Sequence, residues 1–313
     1  MERRYIDAGF KRTMAGLDHH IKTLHQSEGV ALADYRCWAK RGSCSGEEAA
    51  DCFELVFPRR GLYERVDRSG RSVADANRVL LFAPGRPFRI NHPIEGGDAS
   101  TLIQFEAKAW FDLVGAVDPG WRDRNQFQLP AAIPAEPADQ LLHSDLLRRL
   151  GDRTNPDPLE VSERIAFLGE RILTRASEEP QSPPRNGSSD LHLEIVRRTK
   201  QALVSHAGDR LTLSFLARQA FSSPFHLCRV FRRETGMPIF KYLQRLRVHL
   251  SLDLLLESRR PIGEVGMELG FASPSHFSTA FRREMGMSPR QFRRGSGEAF
   301  ARDRLQRVRE YSS

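Results

Sequence analysis

At 313 residues the chain is longer than one hydrophobic core comfortably fills, so two domains are expected. Its net charge of +8 is unevenly placed: residues 191–295 hold 18 Lys and Arg against 8 Asp and Glu, whereas residues 1–190 hold 26 against 29. That distribution suits a polyanionic partner for the C-terminal part alone, nucleic acid before a membrane surface. No apolar run nears the ~18 residues of a membrane span, Met1–Phe10 carries charge where a signal peptide is apolar, and four cysteines without a C-x-x-C pair fit a reducing compartment; a cytoplasmic protein without a membrane partner is expected.

Along the chain, His19, His20 and His25 fall in what reads as a mobile surface start, although they could also be ligands. Cys37, Cys44 and Cys52 could supply three ligands of a zinc site, but their spacing lacks the paired C-x₂₋₄-C pattern, which favours buried or free thiols. No metal or cofactor is assigned. Gly42–Ser43–Cys44–Ser45–Gly46 matches a G-x-C-x-G nucleophile elbow, a motif that needs a strand before it and a helix after it; a flexible Gly/Ser loop is the plainer reading.

Residues 53–105 read as short strands. Phe53, Leu55 and Phe57 alternate with polar neighbours, Val79–Phe82 is an apolar run, and Phe88, Ile90 and His92 alternate again. Turn signals stand at Pro58–Gly61, Pro84–Pro87 and Gly96–Asp98. A sandwich or small barrel follows, with room for a small ligand between its sheets. His92, at a strand end, is weighed as a packed residue before an effector ligand. From Ala138 to Ala176 the period becomes helical: Leu141, Leu142, Leu146, Leu147 and Leu150, then Ile165, Leu168, Ile172 and Leu173, form two amphipathic helices suited to the sheet or to a second subunit. Residues 177–190 contain Pro, Ser, Gly and charge, and read as an interdomain linker.

Beyond the linker everything is helical, starting at Leu191–Ser205 with Asp190 as N-cap. Residues 223–236 and 273–286 are then a repeat, offset by 50 positions and identical at eight of 14. Each copy opens on Ser-Pro, for a hydrogen-bonding cap and a proline at N1, and ends on glycine at C′. Leu227 and Phe231, or Phe277 and Phe281, form the buried face. Phe225, Cys228, Arg229 and Arg232 face outward in the first copy; Ser275, Ser278, Thr279 and Arg282 do so in the second, with Arg233 and Arg283 alongside. Shorter helices, Leu213–Ala220 and Ile262–Leu269, precede them, with small residues Ala217 and Gly266 at the crossings. Ile239–Leu256 reads as one stiff connecting helix. Two helix-turn-helix units in tandem are the result.

This region, about residues 190–294, resembles the AraC/XylS family of bacterial transcription regulators at Leu216–Ala217, Ser223, Leu227, Arg229, Phe231 and Gly236, then Ile262, Gly270–Phe271, Phe277, Phe281, Gly286, Ser288–Pro289 and Arg293. Gly266 stands where the family usually has alanine, and Thr279 where it often has arginine. Leu55–Gly61, Phe82–Gly85, His92–Pro93 and Gly96–Asp98 look like the cupin-type sensing domains of many family members. The implied fold class is α+β and multidomain: a cupin-like β-rich barrel with helices over residues 1–135, a helical pair for dimerisation at 136–176, the linker at 177–190, an all-α tandem helix-turn-helix domain at 191–295 and a tail at 296–313.

The resemblance implies a sequence-specific DNA-binding regulator, more an activator than a repressor, not an enzyme, with RNA polymerase as a partner and an effector or homodimer contact at the N-terminal domain. Two alternatives are an enzyme or methyl-accepting repair protein with a DNA-targeting tail, and a non-specific nucleic-acid coating protein. Arg229 is expected to read a base edge, with Phe225, Cys228, Ser275, Ser278 and Thr279 on the reading faces, Pro274 opening the second, and Arg232, Arg233, Arg282 and Arg283 on phosphates. His226 and His276 could touch phosphate or cover their helices. Replacing Gly266 by alanine is expected to stabilise the second unit by up to about 1 kcal/mol, on helix propensity alone.

Overall fold

The computed structural model describes residues 17–68, 70–118, 129–151, 156–178, 187–257 and 259–295; the tail at 296–313 and most of the linker lie outside them. The N-terminal part is built from two antiparallel sheets. The larger has the order β1 (His19–Ser27), β2 (Val30–Cys37), β10 (Asp98–Phe105), β5 (Phe53–Gly61), β8 (Arg78–Phe82) and β11 (Ala132–Pro134). The smaller has the order β3 (Ser43–Cys44), β9 (Pro87–His92), β6 (Tyr63–Asp67) and β7 (Gly70–Ala74), with β4 (Glu48–Ala49) also paired to β9.

The inner faces meet through Ile21, Ala33, Tyr35, Val56, Leu80, Phe82 and Leu102 from the larger sheet and Tyr63, Ala74, Phe88 and Ile90 from the smaller. The other face of the larger sheet, including Leu32, Leu55, Phe57, Leu81, Ile103 and Phe105, is covered by α1 (Ala107–Val117), α2 (Pro137–Gly151) and α3 (Pro158–Glu178). Coverage on both sides explains why β5 is buried from Glu54 to Arg59 without alternation. The leucines of α2 and α3 therefore pack on this chain's own sheet.

Several sequence expectations are corrected here. His19, His20 and His25 lie in β1 rather than a mobile start, and His25 is within reach of the Ser27 and Ser162 hydroxyls at 3.3 Å. Pro58–Gly61 is no turn, because β5 continues through it beside a register shift in its pairing with β10. The linker at 177–190 is shorter: α3 runs to Glu178 and α4 (Gly187–Ser205) begins before Asp190, which lies inside the first turn rather than capping it.

The helical region continues with α5 (Leu213–Gln219), α6 (Pro224–Thr235), α7 (Ile239–Glu257), α8 (Ile262–Glu268), α9 (Pro274–Met285) and α10 (Pro289–Arg293). It is docked on the sheets along one stripe of α7. Tyr242 donates to Asp75 Oδ2 at 2.6 Å, Arg245 to the Ala135 carbonyl at 2.5 Å, and His249 Nδ1 to the Ala76 carbonyl at 2.9 Å. One turn further, Asp253 accepts from Arg59 at 2.9 Å and lies 2.5 Å from Arg60, and Glu257 accepts from Arg36 at 2.8 Å and also pairs with Arg60. The spacing 242, 245, 249, 253, 257 is that of one helix face, and α4 adds Arg197 and Gln201, both bonded to Glu64 of β6 at 2.8 Å.

Candidate nucleic-acid interface

Both proposed reading helices are fixed by the same local devices. Ser223 Oγ accepts from the His226 amide at 3.3 Å and Ser273 Oγ from the His276 amide at 3.1 Å. Pro224 and Pro274 occupy the first turn, and Gly236 and Gly286 close the helices at φ 74° and 80°. These caps satisfy end groups that would otherwise need partners, so helices of 12 residues can stand on a protein surface with one face exposed.

The buried faces follow the expected period. Leu227, Val230 and Phe231 enter a core with Leu216, Ala217, Tyr242 and Leu246, while Phe277, Ala280, Phe281 and Met285 pack with Val248, Leu252, Val265 and Phe292. The short helices differ: Thr212 caps α5 through the Phe215 amide, whereas α8 starts at Pro261 with no side-chain cap. A Cβ on Gly266 would lie 2.7 Å from Cβ and Cγ of Phe277. The glycine is therefore a requirement of the α8–α9 crossing, and the expected gain from alanine is overturned: helix propensity yields to close packing.

α7 carries the alignment of the two units. Arg247 donates from Nε to the Ala207 carbonyl at 2.7 Å, from Nη1 to Gly270 at 2.8 Å and from Nη2 to Asp209 at 2.7 Å. One guanidinium thus ties the segment entering the first unit to the turn of the second. The turns are built differently: Phe221 takes φ 50° in the first and Gly270 takes φ 75° in the second. Phe221 is 81% exposed with the Arg198 guanidinium 4.6 Å above its ring. Phe221–Ser222 is the turn that the sequence places between the two helices, although a phenylalanine is not a usual choice at positive φ.

Of the reading-face residues, Phe225, Cys228, Arg229 and Arg232 are exposed together and with Arg233 line one shallow hollow. Pro274, Ser275, Thr279, Arg282 and Arg283 are exposed on α9, and Ser278 is half-buried. Arg229 rests 3.3 Å from His226 Nδ1. Arg233 contacts Glu234 and His192 at 2.6 Å, and Arg283 is hydrogen-bonded to Gln244 of α7. Arg232 and Arg282 are exposed and make no hydrogen bond or ion pair among the described residues. His276 packs edge-on against Phe271 at 5.4 Å, and His226 lies 5.6 Å from His192.

Ser43–Cys44 forms β3, but strands and not a helix follow it, so Gly42–Gly46 lacks the setting of a nucleophile elbow. The Ser45 hydroxyl instead accepts from the Ile90 amide at 3.0 Å. Cys37 is buried, Cys52 half-buried and Cys44 exposed.

A family model described as a helix-turn-helix domain matches residues 216–295. The chain is 33% identical over 88 residues to the bifunctional transcriptional activator/DNA repair enzyme AdaA of Bacillus subtilis, covering 28% of this chain and 42% of that protein. It is 30% identical over 142 residues to the arabinose operon regulatory protein of Escherichia coli, covering 44% and 46%. The C-terminal third carries a helix-turn-helix domain of the AraC type. The matches to these relatives span less than half of their length. Among solved structures, ToxT from Vibrio cholerae O395 aligns over 86% of this chain and 98% of its own, at 14% identity and a TM-score of 0.36. Among the described residues, no helix is long and apolar enough to cross a membrane.

Proposed function

We propose that the protein is a sequence-specific, double-stranded-DNA-binding transcription regulator that lays α6 and α9 into successive major grooves on one face of the duplex. The observation that carries this reading is the pair of identically capped helices joined by α7, each with its apolar side buried and a polar, arginine-bearing side open to solvent. A rigid connector lets one chain read two groove segments about 34 Å apart. Arg229 is assigned a base-edge contact, most naturally to guanine, with Phe225 and Cys228 beside it; Ser275, Ser278 and Thr279 read in the second groove. Arg232, Arg233, Pro274, Arg282 and Arg283 position the helices on the backbone. Release of Arg283 from Gln244 and of Arg233 from Glu234 precedes those phosphate contacts.

Activation through RNA polymerase, control by an effector and homodimer formation at the N-terminal domain extend this reading, supported by likeness of the C-terminal third to regulators named as activators. The test is selection of duplexes by the full chain from a random pool, followed by salt titration. A defined site whose affinity falls steeply with salt supports the proposal; salt-sensitive binding without sequence preference supports a coating protein, and no duplex binding removes the reading.

A further inference from the structure

Cys37 ends β2, His92 ends β9 and Asp98 begins β10. Pairing of β2 with β10 sets Asp98 opposite Cys37, and the turn between β9 and β10 brings His92 Nε2 to 2.9 Å from Asp98 Oδ1. One donor atom from each of the three residues lies within 4.8 Å of the other two, and all three residues are buried.

Two features are left over when this cluster is read as ordinary packing. The Asp98 side chain is 1% exposed and accepts hydrogen bonds from His92 and from Ser100 at 3.0 Å, yet it pairs with no Arg or Lys among the described residues. His92 is fully buried, and its Nδ1 has no hydrogen-bond partner. A buried carboxylate without a cation is unfavourable. A void of about 10 Å³, lined by Tyr35, Tyr63, Asp98 and Ser100 among others, adjoins the carboxylate; it offers room for about one water.

We propose that Cys37, His92 and Asp98 bind one divalent transition-metal ion, with zinc the best match to the donor set. A thiolate, a neutral imidazole and a carboxylate together bring two negative charges, which a divalent ion neutralises at this buried position. Sulfur and nitrogen donors select a borderline ion such as zinc over magnesium or calcium, and three protein ligands plus one water complete a tetrahedron. On binding, the Cys37 S–H bond breaks, the proton leaves to solvent and the sulfur lone pair joins the metal, with no change of oxidation state. Cys37 directly follows Arg36, whose guanidinium holds Glu257 of α7. Metal occupancy thereby acts on the strand end that grips the connecting helix. That regulatory consequence rests on the regulator reading; the binding itself does not.

The experiment is titration of the chelator-stripped full chain with cobalt(II), then displacement by zinc. One equivalent should produce the thiolate-to-cobalt charge-transfer absorption, which zinc removes. Cys37→Ala should abolish the band, His92→Gln and Asp98→Asn should weaken binding at least about tenfold, and Cys44→Ser should leave it intact. Circular dichroism checks each variant's fold. Should Cys37→Ala fail to fold, zinc protection of Cys37 from alkylation in the unaltered chain takes its place. Absence of the band, its persistence without Cys37, or no protection overturns the proposal. A chain that takes cobalt but binds no duplex removes the regulator reading and keeps this site.

Discussion

The two helix-turn-helix units share a repeat but not a setting. The first has a core of its own, Leu216, Leu227, Phe231, Tyr242 and neighbours, touched from the N-terminal part by Ala76. The core of the second, around Phe277, Phe281 and Phe292, belongs to the same cluster as Leu142 and Leu146 of α2 and the helix-covered face of the larger sheet. Arg148 of α2 also donates to the Phe292 carbonyl at 3.4 Å. The second unit thus shares an apolar core with the N-terminal part, whereas the first meets it through polar contacts such as Tyr242 to Asp75 and Arg197 of α4 to Glu64, and carries the long cation, Arg229.

The largest expected effect comes from breaking the docking stripe. Asp253→Ala removes one of the two carboxylates that hold the buried Arg59, the other being Asp34; Arg59 and Asp253 have side-chain exposures of 9% and 4%. Because Asp34 still faces the guanidinium, the loss should lie at about 3 kcal/mol, the low end for breaking a buried pair. Thermal unfolding should show this loss in the full chain, and a value near zero would mean that the stripe is not formed in solution.

The turns and crossings separate the units more finely. A Cβ on Gly270 would lie 2.6 Å from Arg247 Nη2 and 2.7 Å from the Gly208 carbonyl. Gly270→Ala and Gly266→Ala should each destabilise by about 1–3 kcal/mol through overpacking. Phe221→Ala, at the matching turn of the first unit, should stay within about 1 kcal/mol, because it removes little beyond an exposed cation–π contact. Equal losses in denaturant unfolding would erase the distinction between the two turns.

Acid sharpens the comparison further. Burial pushes His143 and His249 down to about 3, the nearby Arg59 and Arg245 adding to the effect and the Ala76 carbonyl opposing it at His249. The folded chain keeps these rings neutral while the unfolded chain protonates them near pH 6.5. Stability should be fully present above about pH 6.5 and decline as pH falls from there toward 3. Replacing His249 by glutamine should flatten that decline in a pH series of melting temperatures.

How much of this was legible in the sequence follows from the range of the interactions. Caps, proline, C′ glycines and the Leu227/Phe231 spacing act within one helix, and the paired units could be read from them. The edge strand β1 was missed because His19–Ser27 is mostly polar and only Ile21 and His25 turn fully inward. Gly266 misled because propensity is local, whereas its neighbour Phe277 is brought in by the crossing. The docking stripe joins residues up to 221 positions apart, and Cys37, His92 and Asp98 are gathered over a shorter range. No local pattern announces such pairs.

On the proposed function, α6 and α9 read DNA unequally. The direct measurement is a saturation scan of the selected duplex, with binding free energies for every single mismatch. Mismatches beneath the helix carrying Arg229 should cost about 1–3 kcal/mol each, and those one helical turn away distinctly less. Arg229→Ala should relax one position of the strict half, and Thr279→Arg should tighten the tolerant half. Two equally strict halves, or a stricter half under α9, would contradict the assignment.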